Sequence, residues 1–321
     1  MFAATTKRGL YALIASATIV LLSTRVQAEA LPVFPGAQGH GTKTVAGSGR
    51  HLSRPATTVF KVTNLNDSGT GSLRACVDAR IPRVCIFEIS GRIHLAQNLI
   101  VRYPYLTIAG QTAPSPGILI TGAGIRVATN DVLVQHLQIR PGDDRRGFDP
   151  GHRDGFTVGG SGSRSAFNVV ADHLSVSWAI DENVSTWHEL TRDVTFSHLI
   201  VAEGLEKSIH PEGNHSKGMM LGDNSTRVSV HNNLLAHNWD RNTYFKPGVS
   251  AEYINNVVYN WGGPSASNGV NLSDYYRTGA PVLVNFIGNY YKRGSSTPTH
   301  PLLYAKPAAS RTRAWVLGNI T

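Results

Sequence analysis

Short runs of β-branched and aromatic residues recur along the chain, and most of them close on a histidine or an asparagine. The closing residue advances by 24 to 37 positions from one run to the next. The shortest steps equal about one coil of a solenoid, and the longer steps leave room for inserted loops. The closing residues are His136, His173, His198, Asn232, Asn256, Asn289 and Asn319.

This spacing predicts an all-β fold, a single-stranded right-handed parallel β-helix. The runs are short and rich in Val, Ile, Phe and Tyr, as strands are. Strands of β-sandwiches usually recur every 8–12 residues or so, which is a shorter step than the one seen here. In stacked coils the seven closing residues would share one corner, where their side chains hydrogen-bond along the stack. We therefore expect them to be structural residues rather than ligands.

The N-terminus has the features of a targeting segment. Lys7 and Arg8 precede a mixed apolar stretch, and Ala28 ends a run of small residues suited to signal peptidase. The stretch is too short and too polar for a membrane span. We expect residues 1–28 to be a signal peptide and residues 29–321 to form one β-helix domain. The mature protein is then secreted, extracellular or periplasmic, with no membrane attachment after the signal is removed.

The charge of the mature chain favours an anionic partner. Residues 1–28 contain three basic residues and no acidic one, so their removal lowers the formal net charge from +9 to +6. Nucleic acid, acidic lipid and acidic polysaccharide are all candidates, and the charge also simply aids solubility. Zinc-ligand spacing, helix-turn-helix patterns and Arg/Lys-rich runs are missing, so we expect no nucleic-acid partner. Rossmann, P-loop and serine-triad signatures are missing as well.

Two cysteines stand nine residues apart, Cys76 and Cys85. Residues 72–79 are predicted to form a short helix and residues 83–89 a strand. In an oxidising compartment the chain can fold back between the two elements and allow a disulfide. We predict this disulfide, and two buried free thiols are the alternative.

Several motifs stand in a fixed order between about residues 34 and 260. They are Val62–Arg74, Thr107–Pro114, Arg140–Asp143, Asp172–His173 and Ser177–Glu182. In this order they resemble the pectate lyase superfamily, and most closely the secreted bacterial branch of polysaccharide lyase family 1. The resemblance implies a right-handed parallel β-helix with an N-terminal capping helix at residues 72–79, and we expect a monomer. Because chains of that family are often longer, we also expect this chain to be shortened at its C-terminus.

The resemblance implies a lyase that acts on an acidic, uronate-containing polysaccharide such as polygalacturonate. A base removes the proton at C5, and the glycosidic oxygen leaves from C4. The site must neutralise the substrate carboxylate and the charge that develops beside it. Ca²⁺ suits this task because it prefers oxygen ligands. We therefore expect Ca²⁺ as the cofactor.

Carboxylates at two motifs are the metal-ligand candidates. The resemblance assigns Asp154 and Glu182 to the metal, with Asp181 as the substitute if the register differs by one residue. The third acidic position of the family falls near Thr186, which predicts a weaker preformed calcium site. A turn-forming aspartate and an exposed acidic loop are the alternatives to a metal site.

Basic residues supply the remaining candidates. The resemblance assigns substrate binding to Lys217 and Lys246 and catalysis, as the base, to Arg241. Thr243 replaces the proline of the family motif, and Lys246 replaces its second arginine. The pKa of arginine is ordinarily above 12, so stabilisation of the enolate is the alternative role for Arg241. Solvated surface cations are the alternative for all three residues.

Two rival functions use the same fold. One is a non-catalytic polysaccharide-binding β-helix, favoured by the altered proline motif and the missing third acid. The other is a glycoside hydrolase, which needs two carboxylates that flank the scissile bond. Asp143 or Asp144 would then act with Asp154 or Asp172, although Asp172 is predicted to be structural because it closes a strand.

Overall fold

The computed structural model describes residues 31–321 except 55, 161–163, 223, 263–269, 273–279, 300–301 and 306–311. The chain divides into residues 1–31 and 32–321, and every element described below belongs to the second unit. The predicted signal peptide lies outside the described residues. Within the described ranges, no helix has the length and apolar character needed to cross a bilayer.

Three parallel sheets contain the strands of the described chain, and successive strands along the sequence pass from sheet to sheet. The first sheet consists of β1 (Thr58–Val62), β2 (Arg83–Phe87), β5 (Leu106–Ala109), β8 (Val132–Gln135), β11 (Ala166–Asp172), β14 (Thr191–Ser197), β17 (Thr226–His231), β20 (Ser250–Ile254), β23 (Leu283–Ile287) and β26 (Arg313–Leu317). The second consists of β3 (Gly91–His94), β6 (Ile118–Thr121), β9 (Gln138–Arg140), β12 (Ser175–Ser177), β15 (Ile200–Ala202), β18 (Leu234–Ala236), β21 (Val257–Tyr259) and β24 (Tyr290–Lys292). The third consists of β4 (Leu99–Val101), β7 (Ile125–Val127), β10 (Phe156–Val158), β13 (Glu182–Thr186), β16 (Lys217–Leu221), β19 (Tyr244–Phe245), β22 (Val270–Leu272) and β25 (Leu303–Ala305).

This arrangement confirms the predicted parallel β-helix, because each regular coil contributes one strand to each sheet. Alternate residues of a strand face the interior, and neighbouring coils place them in register. One buried column runs through Val134, Ala171, Phe196, Val230 and Tyr253. The core is therefore a set of such columns stacked along the axis. The short 3₁₀ helices are His40–Lys43, Ala46–Ser48, Gly110–Thr112 and Pro150–His152.

The corner after the first sheet contains two rows of residues, where the sequence predicted one. The first row has left-handed backbone with φ between 53° and 57°; it includes His136, His173, His198 and Asn232. The second row lies one residue further along; it consists of Asn233, Asn256, Asn289 and Asn319. The prediction of one shared row was therefore wrong for the last three asparagines. In their coils the residues with left-handed backbone are Asn255, Gly288 and Gly318. The asparagine that ends each of these three runs therefore lies one residue after the left-handed position.

The second row forms a buried amide ladder. Asn233 Nδ2 donates to Asn256 Oδ1 at 2.9 Å, and Asn256 Nδ2 donates to Asn289 Oδ1 at 3.0 Å. Asn289 Nδ2 continues the series to Asn319 Oδ1 at 2.8 Å. Each oxygen also accepts the backbone N–H of the preceding asparagine. The ladder provides hydrogen-bond partners for backbone N–H groups where the coil bends. This is the structural role predicted from the sequence.

A single α-helix, α1 (Leu73–Val77), is present among the described residues, and it lies in the predicted capping segment. Ser72 Oγ accepts the N–H of Ala75, as an N-cap residue does. Cys76 of α1 and Cys85 of β2 form a disulfide with their Cα atoms 6.0 Å apart, so the predicted pairing is confirmed.

Candidate active site

Three carboxylates meet on the outer face of the third sheet. Asp154 lies just before β10, while Asp181 and Glu182 lie at the start of β13 in the next coil. The N–H of Gly155 donates to the carbonyl of Glu182 at 2.9 Å and holds the two coils in register. Each of the three residues offers an oxygen within 4.8 Å of the others. The structure thus brings together all three residues that were assigned to the metal.

The environment of Asp154 leaves its charge poorly compensated. Thr157 Oγ1 donates to its Oδ2 at 2.6 Å, and Ser185 Oγ donates to the same atom at 3.3 Å. Burial and the nearby charge of Asp181 nevertheless raise the pKa of Asp154 to about 6. A cation between these oxygens would favour the ionised form of all three groups.

Thr186 cannot supply a ligand from where it lies. Its side chain is fully buried, and its Oγ1 accepts the N–H of Gly222 at 3.1 Å. A carboxylate at this position would face the interior of the coil. The third carboxylate of the cluster comes from Asp181, and the weaker calcium site expected from the threonine stays a prediction.

Arg241 lies beside the carboxylates from a coil further along the axis. Its Nη1 forms an ion pair with Glu182 Oε1, and its backbone N–H donates to Asp240 Oδ1 at 2.8 Å. The guanidinium also lies 5.7 Å from the ring centroid of Tyr244. Burial lowers the pKa of Arg241, and the charge of Asp181 opposes this shift. The backbone is left-handed here, with φ 60°, a region that few residues other than glycine occupy.

Lys217 begins β16, opposite Glu182 in the register of the sheet. Its Nζ lies 3.0 Å from Asp240 Oδ2 and 5.2 Å from the ring centroid of Trp239. The acidic partner was not foreseen from the sequence. A substrate carboxylate that binds Lys217 would therefore have to compete with Asp240.

Lys246 follows β19 and is buried, with 8% of its surface exposed. Its Nζ lies 4.2 Å from the ring centroid of Trp187, which follows β13. Substrate binding by Lys246 stays a prediction, and the indole of Trp187 next to its ammonium was not foreseen from the sequence.

A stacked histidine pair was missed by the sequence analysis. The rings of His210 and His215 lie 3.6 Å apart between centroids. Their Nε2 atoms are 3.9 Å and 3.5 Å from the Asp181 carboxylate. Glu212 donates its N–H to His210 Nδ1 at 3.2 Å, and burial followed by the charge of His215 lowers the pKa of His210. The signal in the sequence was two histidines five residues apart, just before Lys217.

Two adjoining cavities of about 410 Å³ and 360 Å³ lie along this face. Both are lined by Asp181, Glu182, Trp187 and Met220. Their shared wall makes an elongated groove across several coils, with the carboxylates near its middle. Such a groove suits an extended polymer better than a compact ligand.

The carboxylates considered for a hydrolase have other partners. Asp172 is buried under the histidine row, where it bonds to His173 Nδ1 at 2.8 Å and to His198 Nδ1 at 3.0 Å. Asp144 forms an exposed ion pair with Arg146. Asp172 is therefore structural, as predicted.

No family model matches the chain. A probable pectate lyase C of Emericella nidulans is 38% identical over 280 residues, covering 82% of this chain and 60% of that protein. A probable pectate lyase C of Aspergillus fumigatus is 36% identical over 275 residues, covering 84% and 56%. The chain thus spans somewhat more than half the length of the curated relatives it matches.

Solved structures share the fold at low sequence identity. Jun a 1, the major cedar pollen allergen, superimposes with a TM-score of 0.62 at 20% identity, covering 88% of this chain and 81% of that one. A Bacillus subtilis pectate lyase mutant gives 0.62 at 11% identity, with 91% and 87% covered. The chain thus shares the parallel β-helix fold of these proteins, and its sequence is similar to curated proteins named probable pectate lyase C. These relatives are fungal, so the narrower assignment to a bacterial branch is not supported.

Proposed function

We propose that this chain is a polysaccharide lyase that cleaves polygalacturonate, or a close relative, by calcium-assisted β-elimination. The curated relatives are named pectate lyases, and one solved pectate lyase of the same fold is described as bound to a hexasaccharide. The proposal rests mainly on one cluster of charged side chains in the groove. Carboxylate oxygens of Asp154, Asp181 and Glu182 lie within 4.8 Å of one another, and Arg241 forms an ion pair with Glu182.

The carboxylate cluster fits a hard divalent cation. All three donors are oxygens, as Ca²⁺ prefers, and burial together with the charge of Asp181 raises the pKa of Asp154. Asp154, Asp181 and Glu182 would hold the ion. When bound, calcium supplies positive charge that neutralises the substrate carboxylate and the charge developing next to it.

Arg241 is the proposed base. The C5 proton passes to this residue, the C4–O bond breaks with its electron pair on the departing glycosidic oxygen, and a C4=C5 double bond forms. The departing oxygen takes up one proton in place of the one lost from C5, so the reaction consumes no water. Burial lowers the pKa of Arg241 and so favours the neutral form that a base requires, while the charge of Asp181 opposes this shift. The ion pair with Glu182 also stabilises the charged form. The pair must therefore open before proton transfer. If Arg241 stays charged, it stabilises the enolate instead.

Lys217 and Lys246 are proposed to contribute to substrate binding through their charge. Lys217 lies opposite Glu182 in the sheet and faces Asp240, while Lys246 lines the smaller cavity. Positive charge on both sides of the carboxylate cluster would attract a polyanionic chain.

Export is part of the proposal. We infer that residues 1–28 are a signal peptide, that residues 29–321 form the mature domain, and that this domain is secreted as a monomer. The disulfide between Cys76 and Cys85 supports this view, since such bonds persist in oxidising compartments.

The test is incubation of residues 29–321 with polygalacturonate. Ultraviolet absorbance follows the unsaturated product, and the assay is run with calcium and with excess chelator. A lyase gives absorbance that chelator abolishes and calcium restores. New reducing ends without absorbance would indicate a hydrolase, and binding without any cleavage would indicate a non-catalytic β-helix.

A further inference from the structure

Trp187 has an unusual position for a large apolar side chain. It follows β13 directly, lines both cavities of the groove, and leaves 42% of its surface exposed. An indole exposed in a groove of charged side chains loses hydrophobic stabilisation unless a ligand covers it.

Glycines on both sides keep the space around this indole open. The register of β10, β13, β16 and β19 places Gly159, Trp187, Gly222 and Lys246 in one row across four coils. A Cβ atom on Gly222 would lie 2.3 Å from Trp187 Cε3. The indole therefore lies across the next coil at a point where only glycine leaves room for it.

Lys246, two coils from Trp187, contacts the indole. Its Nζ lies 4.2 Å from the ring centroid, within the range of a cation–π contact. Lys246 is 8% exposed and lines the smaller cavity, whereas Trp187 is 42% exposed and lines both cavities. The two side chains therefore meet at the wall of the groove.

We propose that Trp187 is a stacking platform for one uronosyl ring of the bound polysaccharide, with Lys246 acting through it. This inference rests on the proposed function and adds a binding residue to it. A pyranose ring has an apolar C–H face that matches the exposed side of an indole. The ammonium next to the ring attracts the carboxylate of the same sugar, so both parts of a uronosyl residue are recognised.

The experiment compares Trp187→Leu and Trp187→Phe with the wild type on polygalacturonate. Leucine keeps an apolar cover over Gly222 but removes the aromatic face, whereas phenylalanine keeps that face. We expect Trp187→Leu to raise KM by about tenfold, on the scale of one aromatic contact, with kcat changed by less than about twofold. We expect Trp187→Phe to recover most of the loss. Trp315→Leu is the matched control, because Trp315 is exposed on β26 and lines neither cavity of the groove.

Melting temperatures and the dissociation constant of an oligogalacturonide complete the comparison. The inference requires that this constant rise in parallel with KM while the melting temperature stays close to that of Trp315→Leu. A wild-type KM in Trp187→Leu, or equal losses in the leucine and phenylalanine variants, would overturn it while leaving the lyase proposal intact. A wild-type protein that neither binds nor cleaves polygalacturonate would overturn the proposed function and this inference with it.

Discussion

Arg241, which precedes β19, forms an ion pair with Glu182 of β13, although β16 lies between these two strands. The arginine side chain therefore reaches past the coil of Lys217 to the carboxylate cluster. The ion pair opposes the role proposed for each residue. Glu182 would have to bind a cation, and Arg241 would have to accept a proton. On these proposed roles the ion pair belongs to a resting state and must break before either residue acts.

Substitution of Arg241 by lysine tests the proposed base. Lysine keeps a positive charge but has a shorter reach and a different donor geometry. We expect turnover on polygalacturonate to fall by at least about a hundredfold, the scale of one general-base contribution. Affinity for the polymer should change little, because Lys217 and the carboxylate cluster remain. Arg313→Lys, at an exposed position on β26, is the control. Near-normal turnover in Arg241→Lys would remove the residue from the chemistry.

Substitution of Asp154 by asparagine tests the cation site. The amide keeps the shape of the side chain but removes one of three negative charges. We expect calcium affinity, measured by calorimetry without substrate, to fall by at least about tenfold, since ligand charge tunes calcium binding. The increase in melting temperature caused by calcium should shrink in parallel. Asp144→Asn is the control because Asp144 lies on the surface with Arg146. Equal calcium affinity in Asp154→Asn and the wild type would show that the cluster is not the site.

The sequence was sufficient for the fold, and motif order selected carboxylates and an arginine that the structure brings together. The sequence did not show which asparagines align in the ladder, because His, Asn and Gly all occupy the left-handed position of that corner. It also did not foresee that Asp240 pairs with Lys217 or that Trp187 lies beside Lys246. The residues of the first contact are 23 positions apart in sequence, and those of the second are 59 positions apart. Only the stacking of coils determines them, and no local pattern encodes it.

Removal of the disulfide tests its contribution to stability. We compare the double variant Cys76→Ser, Cys85→Ser with the wild type in urea. The disulfide closes a short loop, so its loss should lower the free energy of unfolding by about 2–3 kcal/mol. Turnover at low temperature should be unchanged, because neither cysteine lines the groove. Equal unfolding midpoints for the two proteins would contradict this expectation.

Asp172 makes the fold sensitive to acid. Burial opposes its ionisation, but hydrogen bonds from His173, Gln135, His198 and Ser197 outweigh burial and hold the pKa of Asp172 below its usual value. A lowered carboxyl pKa contributes stability above the unfolded-state value of about 3.9, and this stability is lost as pH falls through the folded-state pKa.

Asp172→Asn separates this contribution from the rest of the fold. The amide retains one acceptor oxygen, so it cannot accept from both histidines that flank it. At pH 7 we expect the free energy of unfolding to fall by about 2–3 kcal/mol, the scale of hydrogen bonds to a buried charged group. The difference in the free energy of unfolding between the variant and the wild type should become smaller below about pH 4, where the unfolded-state carboxyl is protonated. Urea unfolding between pH 3 and pH 7 measures both effects, and a difference that stays constant over this range would contradict the assignment.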